Sequence, residues 1–266
     1  MDNMVSVVLN TDVKQKDADS AVVVAVTSRA LFEQGPEDDE TGVWKLSRAF
    51  PLLQAVQKVN DCLLEKNPAE SLLLDVILIT TDSQHQQLSS VLISSTRHHG
   101  LGVGKFFFSS EETFIDCLLE NNVQLFLSTS KDEVLMASQK GVPSALLEAR
   151  KNDSSVQCQR EDLRVWLHED LISPCDSASQ PSSRHSPQRF LAQLGEIRQR
   201  FGVSDSPLWI SLVILHGGRE NCGNRLKALR SLGVSVDDVY CLAGAPSDPL
   251  LSLLQPHFRF NCSFVN

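Results

Sequence analysis

The sequence predicts an α/β fold built on a doubly wound, mainly parallel sheet. Three observations predict it. Short β-branched, nearly all-apolar runs recur along the chain, as in strands buried on both faces. Segments with apolar residues at helical spacing separate those runs, and such alternation implies parallel pairing with right-handed crossovers. The chain has 266 residues, 42% of them hydrophobic and 21% charged. A chain of that length buries roughly 75% of its unfolded surface and holds one large core without disulfide or metal.

The elements follow in order. Residues 1–19 are polar and read as a flexible N-terminal segment ahead of a single α/β domain over 20–266. Residues 21–27 (AVVVAVT) form the first strand. Pro51 opens a helix with Leu52, Leu53, Val56, Val59, Leu63 and Leu64 on one face. A strand at 72–79 (LLLDVILI) and a helix at 83–96 come next, then a short strand at 105–108 and a helix at 111–120. A strand at 123–127, a helix at 131–140 ended by Gly141 and a strand at 144–147 complete the first half. Residues 152–161 are polar, and 163–167 (LRVWL) is a strand. The stretch 173–187, rich in Ser, Pro and Gln, reads as a linker or a reduced cap. Beyond it come a helix at 188–201, a strand at 209–215, a helix at 219–232 and a strand at 239–242. A short helix from Pro249 and a strand at 258–260 close the pattern, and no fixed-period repeat is present.

The net charge of −9 and the lack of any basic run argue against duplex nucleic acid and anionic membranes as partners. No apolar run reaches the ~18 residues of a membrane span, and the start of the chain has no secretory core. The seven cysteines, none in a C-x-x-C pair, read as reduced thiols of a cytoplasmic protein.

Several motifs invite chemistry. Gly100-Leu-Gly-Val-Gly-Lys105 lacks the Walker spacing, with His99 and Phe106 where Gly and Ser or Thr are needed, and reads as a turn feeding a strand. His98, His99, His168, His216 and His257 show no metal-ligand spacing. Gly217, Gly218 and Arg219, with His216 between a strand and a helix, could cradle a phosphate on backbone N–H groups. Ser28-Arg29 and Thr80-Thr81-Asp82 also follow strands, where such sheets place ligands or helix caps.

An ordered set of segments resembles the cytosolic type I 5′-nucleotidases of the haloacid dehalogenase-like fold. They are VAVTSRALF at 24–32, FPL at 50–52 with Ala55 and Val59-Asn60, DVILIT at 75–80, LRV at 163–165, LKALRSLG at 226–233, LAGAP at 242–246, PLL at 249–251 and Pro256-His257. The resemblance implies hydrolysis of AMP and related nucleoside monophosphates through an aspartyl nucleophile, with Mg²⁺ as cofactor. A second Asp would handle the leaving-group proton, and a Thr and a Lys would hold the phosphoryl oxygens. Here His168 stands at the nucleophile position and Asp170 is the surviving second carboxylate. Ile214 replaces the phosphate-binding Thr, Ser247 replaces the Lys, and Asn261-Cys262 replace the paired acidic metal ligands. The chain also stops sooner after residue 260, and runs shorter between Asp170 and Phe190, than the family pattern implies.

Loss of a covalent nucleophile alone costs on the order of 10⁶ in rate. The replacements therefore predict a catalytically impaired member, a pseudoenzyme with a regulatory or nucleotide-binding role. Mg²⁺ is expected to bind weakly or not at all, with Asp170 alone as ligand. A nucleoside monophosphate, an active homologue or further copies of the chain are the expected partners. Two readings stay open beside it. One is an active Mg²⁺-dependent nucleotidase with altered site residues, using Glu169 or Asp170 with Glu161 or Asp162 nearby, or a phosphorylated His168. The other is an interaction module without catalysis.

Overall fold

A computed structural model describes residues 6–33, 42–47, 49–81, 89–147, 162–172, 186–202, 205–216 and 219–260. The first half contains β1 (Ser6–Leu9), β2 (Val22–Thr27), the short helix α1 (Ser28–Leu31), the ribbon of β3 (Phe32–Glu33) and β4 (Lys45–Leu46), and α2 (Phe50–Lys66). It continues with β5 (Leu74–Thr80), α3 (Ser89–His98), β6 (Val103–Phe108), α4 (Phe114–Glu120), β7 (Leu125–Ser128), α5 (Lys131–Gln139) and β8 (Ser144–Leu147). The second half contains β9 (Leu163–His168), a 3-10 turn (Glu169–Ile172), α6 (Pro187–Gln199), β10 (Leu208–Ile214), α7 (Arg219–Ser231), β11 (Asp238–Cys241), α8 (Asp248–Leu254) and β12 (Phe258–Phe260).

Among the described residues the main sheet has ten strands in the order β1-β6-β5-β2-β7-β8-β12-β9-β10-β11. It consists of two parallel blocks. Strands β6, β5, β2, β7 and β8 pair in parallel, as do β12, β9, β10 and β11. The blocks meet at an antiparallel seam, where Phe258 of β12 faces Leu147 of β8 and Phe260 faces Ala145. The two blocks therefore run in opposite directions across that seam.

Alternation along the strands explains why helices cover both faces of the first block. Val22, Val24, Val26, Leu74, Val76 and Leu78 enter one core cluster with Leu52, Leu53, Val56, Val59 and Leu63 of α2. Val23, Ala25, Ile77 and Ile79 enter a second cluster with residues of α4 and α5, including Phe114, Leu118 and Ala137. Each fully buried Leu, Ile, Val or Phe contributes about 1.5–3 kcal/mol. Burial also pushes the Cys117 thiol up to about 12. The architecture is consistent with the haloacid dehalogenase-like, doubly wound expectation. No helix among the described residues is long and apolar enough to cross a membrane.

Three features differ from the sequence reading. Ser6–Leu9 was not expected to join the sheet, yet it adds to its edge as β1, antiparallel to β6. Its Val7 and Leu9 remain exposed while Val8 packs against the core, so edge hydrogen bonds and one inward side chain place it. The seam breaks the expected run of parallel pairing. Cys222 and Cys241, read as free thiols, are joined by a disulfide. The fold sets the first turn of α7 against the end of β11, and no sequence motif announces that contact.

Asp75 is an isolated polar group in this core. It is 5% exposed on β5, and its Oδ1 has no hydrogen-bond partner among the described residues. Burial raises its carboxyl above the usual range, opposed by the nearby charges of Lys16 and Lys105. Gly104 lies against it, and a Cβ there would come within 2.7 Å of Asp75 Oδ1.

Candidate functional site

The register of the second block gathers the positions that the sequence singled out. His168, the last residue of β9, lies opposite Val213. Ile214 pairs with Cys241 at the end of β11. Phe260 pairs with Leu167, so β12 ends beside the end of β9. Adjacent strands lie ~4.8 Å apart, and four carboxyl ends therefore form one rim. Ile214 is fully buried in the core and presents no donor to that rim. Ser247 sits ahead of α8 without a capping hydrogen bond from its side chain. Asn261, Cys262, Gly217 and Gly218 lie outside the described residues, as does the side chain of Arg219, which opens α7.

The chain turns sharply after β9, and this turn carries the chemistry. His168 Nδ1 and Asp170 Oδ1 are in direct contact, each side chain 20% exposed. Asp170 Oδ2 is buried and has no hydrogen-bond partner among the described residues. Between them, Glu169 is 8% exposed. Its Oε1 accepts hydrogen bonds from the backbone N–H groups of Leu215 and His216, both at 3.0 Å. Its Oε2 accepts a long one from Asn221 Nδ2 at 3.5 Å. Asn221 also donates to His216 O at 2.9 Å.

The loop after β10 thus does present convergent backbone donors to an anion. They come from Leu215 and His216, just ahead of the 217–219 stretch expected from sequence, and the anion they hold is the protein's own Glu169. Sequence reasoning weighed Glu169 only as an alternative nucleophile, and missed both its anchoring on the next loop and Asn221 as a site residue. The available signal was a carboxylate inserted between His168 and Asp170, directly before the chain turns.

The rest of the rim is braced. Leu242 N–H donates to Ile214 O at 2.8 Å and Gly244 N–H to Leu215 O at 2.7 Å. Gly244 has φ +88°, which glycine adopts without strain. The Cys222–Cys241 disulfide ties α7 to β11 beside these loops.

The described residues at the rim offer few ligands to Mg²⁺. The ion wants hard oxygens in a near-octahedral shell. Both oxygens of Glu169 face N–H donors, Asp170 Oδ1 faces His168, and only Asp170 Oδ2 is left. No cluster of three or more His, Cys, Asp or Glu suited to a metal occurs among the described residues.

Several other candidates make structural contacts. Asp162 precedes β9, about 20 Å of strand away from His168, and lies 3.6 Å from Lys58. Glu161 falls outside the described residues. His257 Nδ1 accepts from Arg164 N–H at 3.0 Å. His99 Nε2 contacts Trp44 O at 3.0 Å. Gly100 turns with φ +62° into β6. A cavity of about 720 Å³ lies away from the rim, lined by Asn10, Lys14, Gln57, Asn60, Arg97 and Gly102 among others.

A mostly parallel sheet flanked by helices, with an acidic turn at a strand's carboxyl end, defines an α/β protein whose candidate site lies at the strand ends. The family model for 5′-nucleotidase matches residues 34–180, more than half of the chain, and the chain belongs to the 5′-nucleotidase family. It is also similar to human cytosolic 5′-nucleotidase 1B, 26% identical over an alignment of 283 residues that covers 91% of this chain and 46% of that protein. The chain therefore spans about half the length of the curated relative it matches.

Proposed function

We propose that this chain is a cytoplasmic member of the 5′-nucleotidase family that does not hydrolyse nucleoside monophosphates by an aspartyl-phosphate route. Its role is regulatory or nucleotide-binding, exerted on an active relative or on further copies of itself. The observation that carries the reading is Glu169. A phosphoryl group entering the rim would meet a buried carboxylate already holding the Leu215 and His216 N–H groups. Two anions cannot share those donors without repulsion. The neighbouring changes act in the same direction. His168 occupies the place of the attacking oxygen anion, and Ile214 offers an apolar surface that disfavours an unneutralised phosphate by desolvation.

The metal provides a direct test. Calorimetric titration of the full chain with Mg²⁺ is expected to show no saturable site at millimolar concentration. A saturable site abolished by Asp170→Asn would contradict the proposal. It would favour an active enzyme that uses the orphaned Asp170 Oδ2.

A further inference from the structure

The five parallel strands of the first block lie in the order β6-β5-β2-β7-β8. The chain builds β2, β5 and β6 outward in one direction. It then returns to the other side of β2 for β7 and β8. The path reverses between β2 and β7, and in open α/β sheets the crevice at the carboxyl ends of such a pair is where ligands bind. The His168–Asp170 turn and the loop after β10 belong to the other block.

We infer that this crevice is a second ligand site, built for the ribose diol of a nucleoside. The last residues of β2 and β7 meet there, with Thr27 Oγ1 donating to Ser128 Oγ at 3.4 Å. Ser128 Oγ donates to Glu133 Oε2 at 2.5 Å. Thr81, just after β5, donates to Glu133 Oε1 at 3.0 Å. Arg29, in the turn after β2, donates to the same oxygen at 2.8 Å and contacts Thr81 Oγ1 at 3.4 Å. The cluster runs from the buried Glu133 to the half-exposed Arg29 guanidinium. At the end of β5, Thr80 Oγ1 is fully buried and has no hydrogen-bond partner among the described residues. Strand alternation turns Thr80 to the opposite face of the sheet from Thr27 and Ser128, so it lies outside this cluster.

Charge and donor chemistry choose the ligand class. Arg29 and Glu133 cancel, so nothing in the pair draws a doubly charged phosphate. A carboxylate has about four lone-pair positions, and three donors reach Glu133. Adjacent sugar hydroxyls both donate and accept, matching a mixed set of carboxylate, guanidinium and hydroxyls. The choice of ribose over another polyol rests on the nucleotide-binding reading above; the existence of the site does not.

The test is adenosine binding to the full chain, followed by calorimetry or amide NMR, with 2′-deoxyadenosine and inorganic phosphate as comparison probes. Adenosine should bind saturably. The deoxy analogue should bind about tenfold more weakly, the equivalent of one lost hydrogen bond of about 1.4 kcal/mol. Arg29→Gln and Ser128→Ala should each weaken adenosine by a similar factor, with thermal midpoints reported alongside. Glu196→Gln, on the exposed side of α6, should leave adenosine affinity unchanged. Absence of saturable adenosine binding would overturn the inference, as would equal affinity for the deoxy analogue or competition by phosphate. Loss of binding in Glu169→Ala but not in Arg29→Gln would move the nucleoside to the second block. The inference would then fail while the nucleotide-binding reading stood.

Discussion

Replacing Glu169 by alanine removes the anion from two backbone donors at once. A hydrogen bond to a charged group contributes about 1.5–3 kcal/mol, and a buried donor left without a partner loses its full share. His216 is exposed and Leu215 half-buried, so water replaces one partner readily and the other in part. The expected loss of stability is therefore about 2–3 kcal/mol, read as a lower urea midpoint at unchanged slope. Glu169→Gln keeps an acceptor oxygen in place and should cost about 1 kcal/mol. The emptied cradle should then accept an external oxyanion. Phosphate at ten times its dissociation constant would return about 1.4 kcal/mol to Glu169→Ala and nothing to the unmodified protein. A variant within about 0.5 kcal/mol of the parent, with no response to phosphate, would refute the view that Glu169 fills a built anion site.

Three further outcomes are expected. The disulfide closes a loop of sequence separation 19, so reduction should destabilise the oxidised protein by about 3 kcal/mol; Cys222→Ser should abolish any effect of dithiothreitol on the denaturation midpoint. Burial raises the carboxyl pKa of Asp75 in the folded state, so the native state binds more protons than the unfolded state at pH above the ordinary aspartate range. Stability contributed by its neutral form is lost as pH rises through the folded pKa, and Asp75→Asn should raise the melting temperature at neutral pH with little effect in strong acid. Arg198 pairs with Asp237 through both carboxylate oxygens and also donates to Leu208 O and Ser235 Oγ, with side chains only 10% and 14% exposed. Arg198→Met should cost about 3–5 kcal/mol by stranding Asp237, and Arg198→Lys should recover only part of that because ammonium lacks the two-pronged fit.

Much of the fold was legible because its signals are local. The β-branched runs of β2 and β5 and the one-sided apolar pattern of α2 announce themselves over six to seventeen residues. The seam was not legible. Strands β8 and β12 are four and three residues long, and their antiparallel pairing depends on tertiary placement rather than on period. Strand β1 has no crossover helix to announce it. At the site, the strand pattern led to His168 and Ile214 at the ends of β9 and β10, with Asp170 in the turn after β9. It did not show that Glu169 folds onto the next loop, because the turn after β9 fixes that side chain's direction. The Cys222–Cys241 pair was hidden for the same reason: it joins a helix to a strand end across a loop, with no motif between them.

The central claim is that the rim handles no phosphoryl transfer, and the most direct measurement is phosphate release from AMP by the purified full chain. The assay is run with Mg²⁺ and with EDTA, at protein concentrations high enough to detect a single turnover. The account predicts release indistinguishable from the EDTA control. Release that requires Mg²⁺ and disappears in Asp170→Asn would contradict it and make this chain a working nucleotidase.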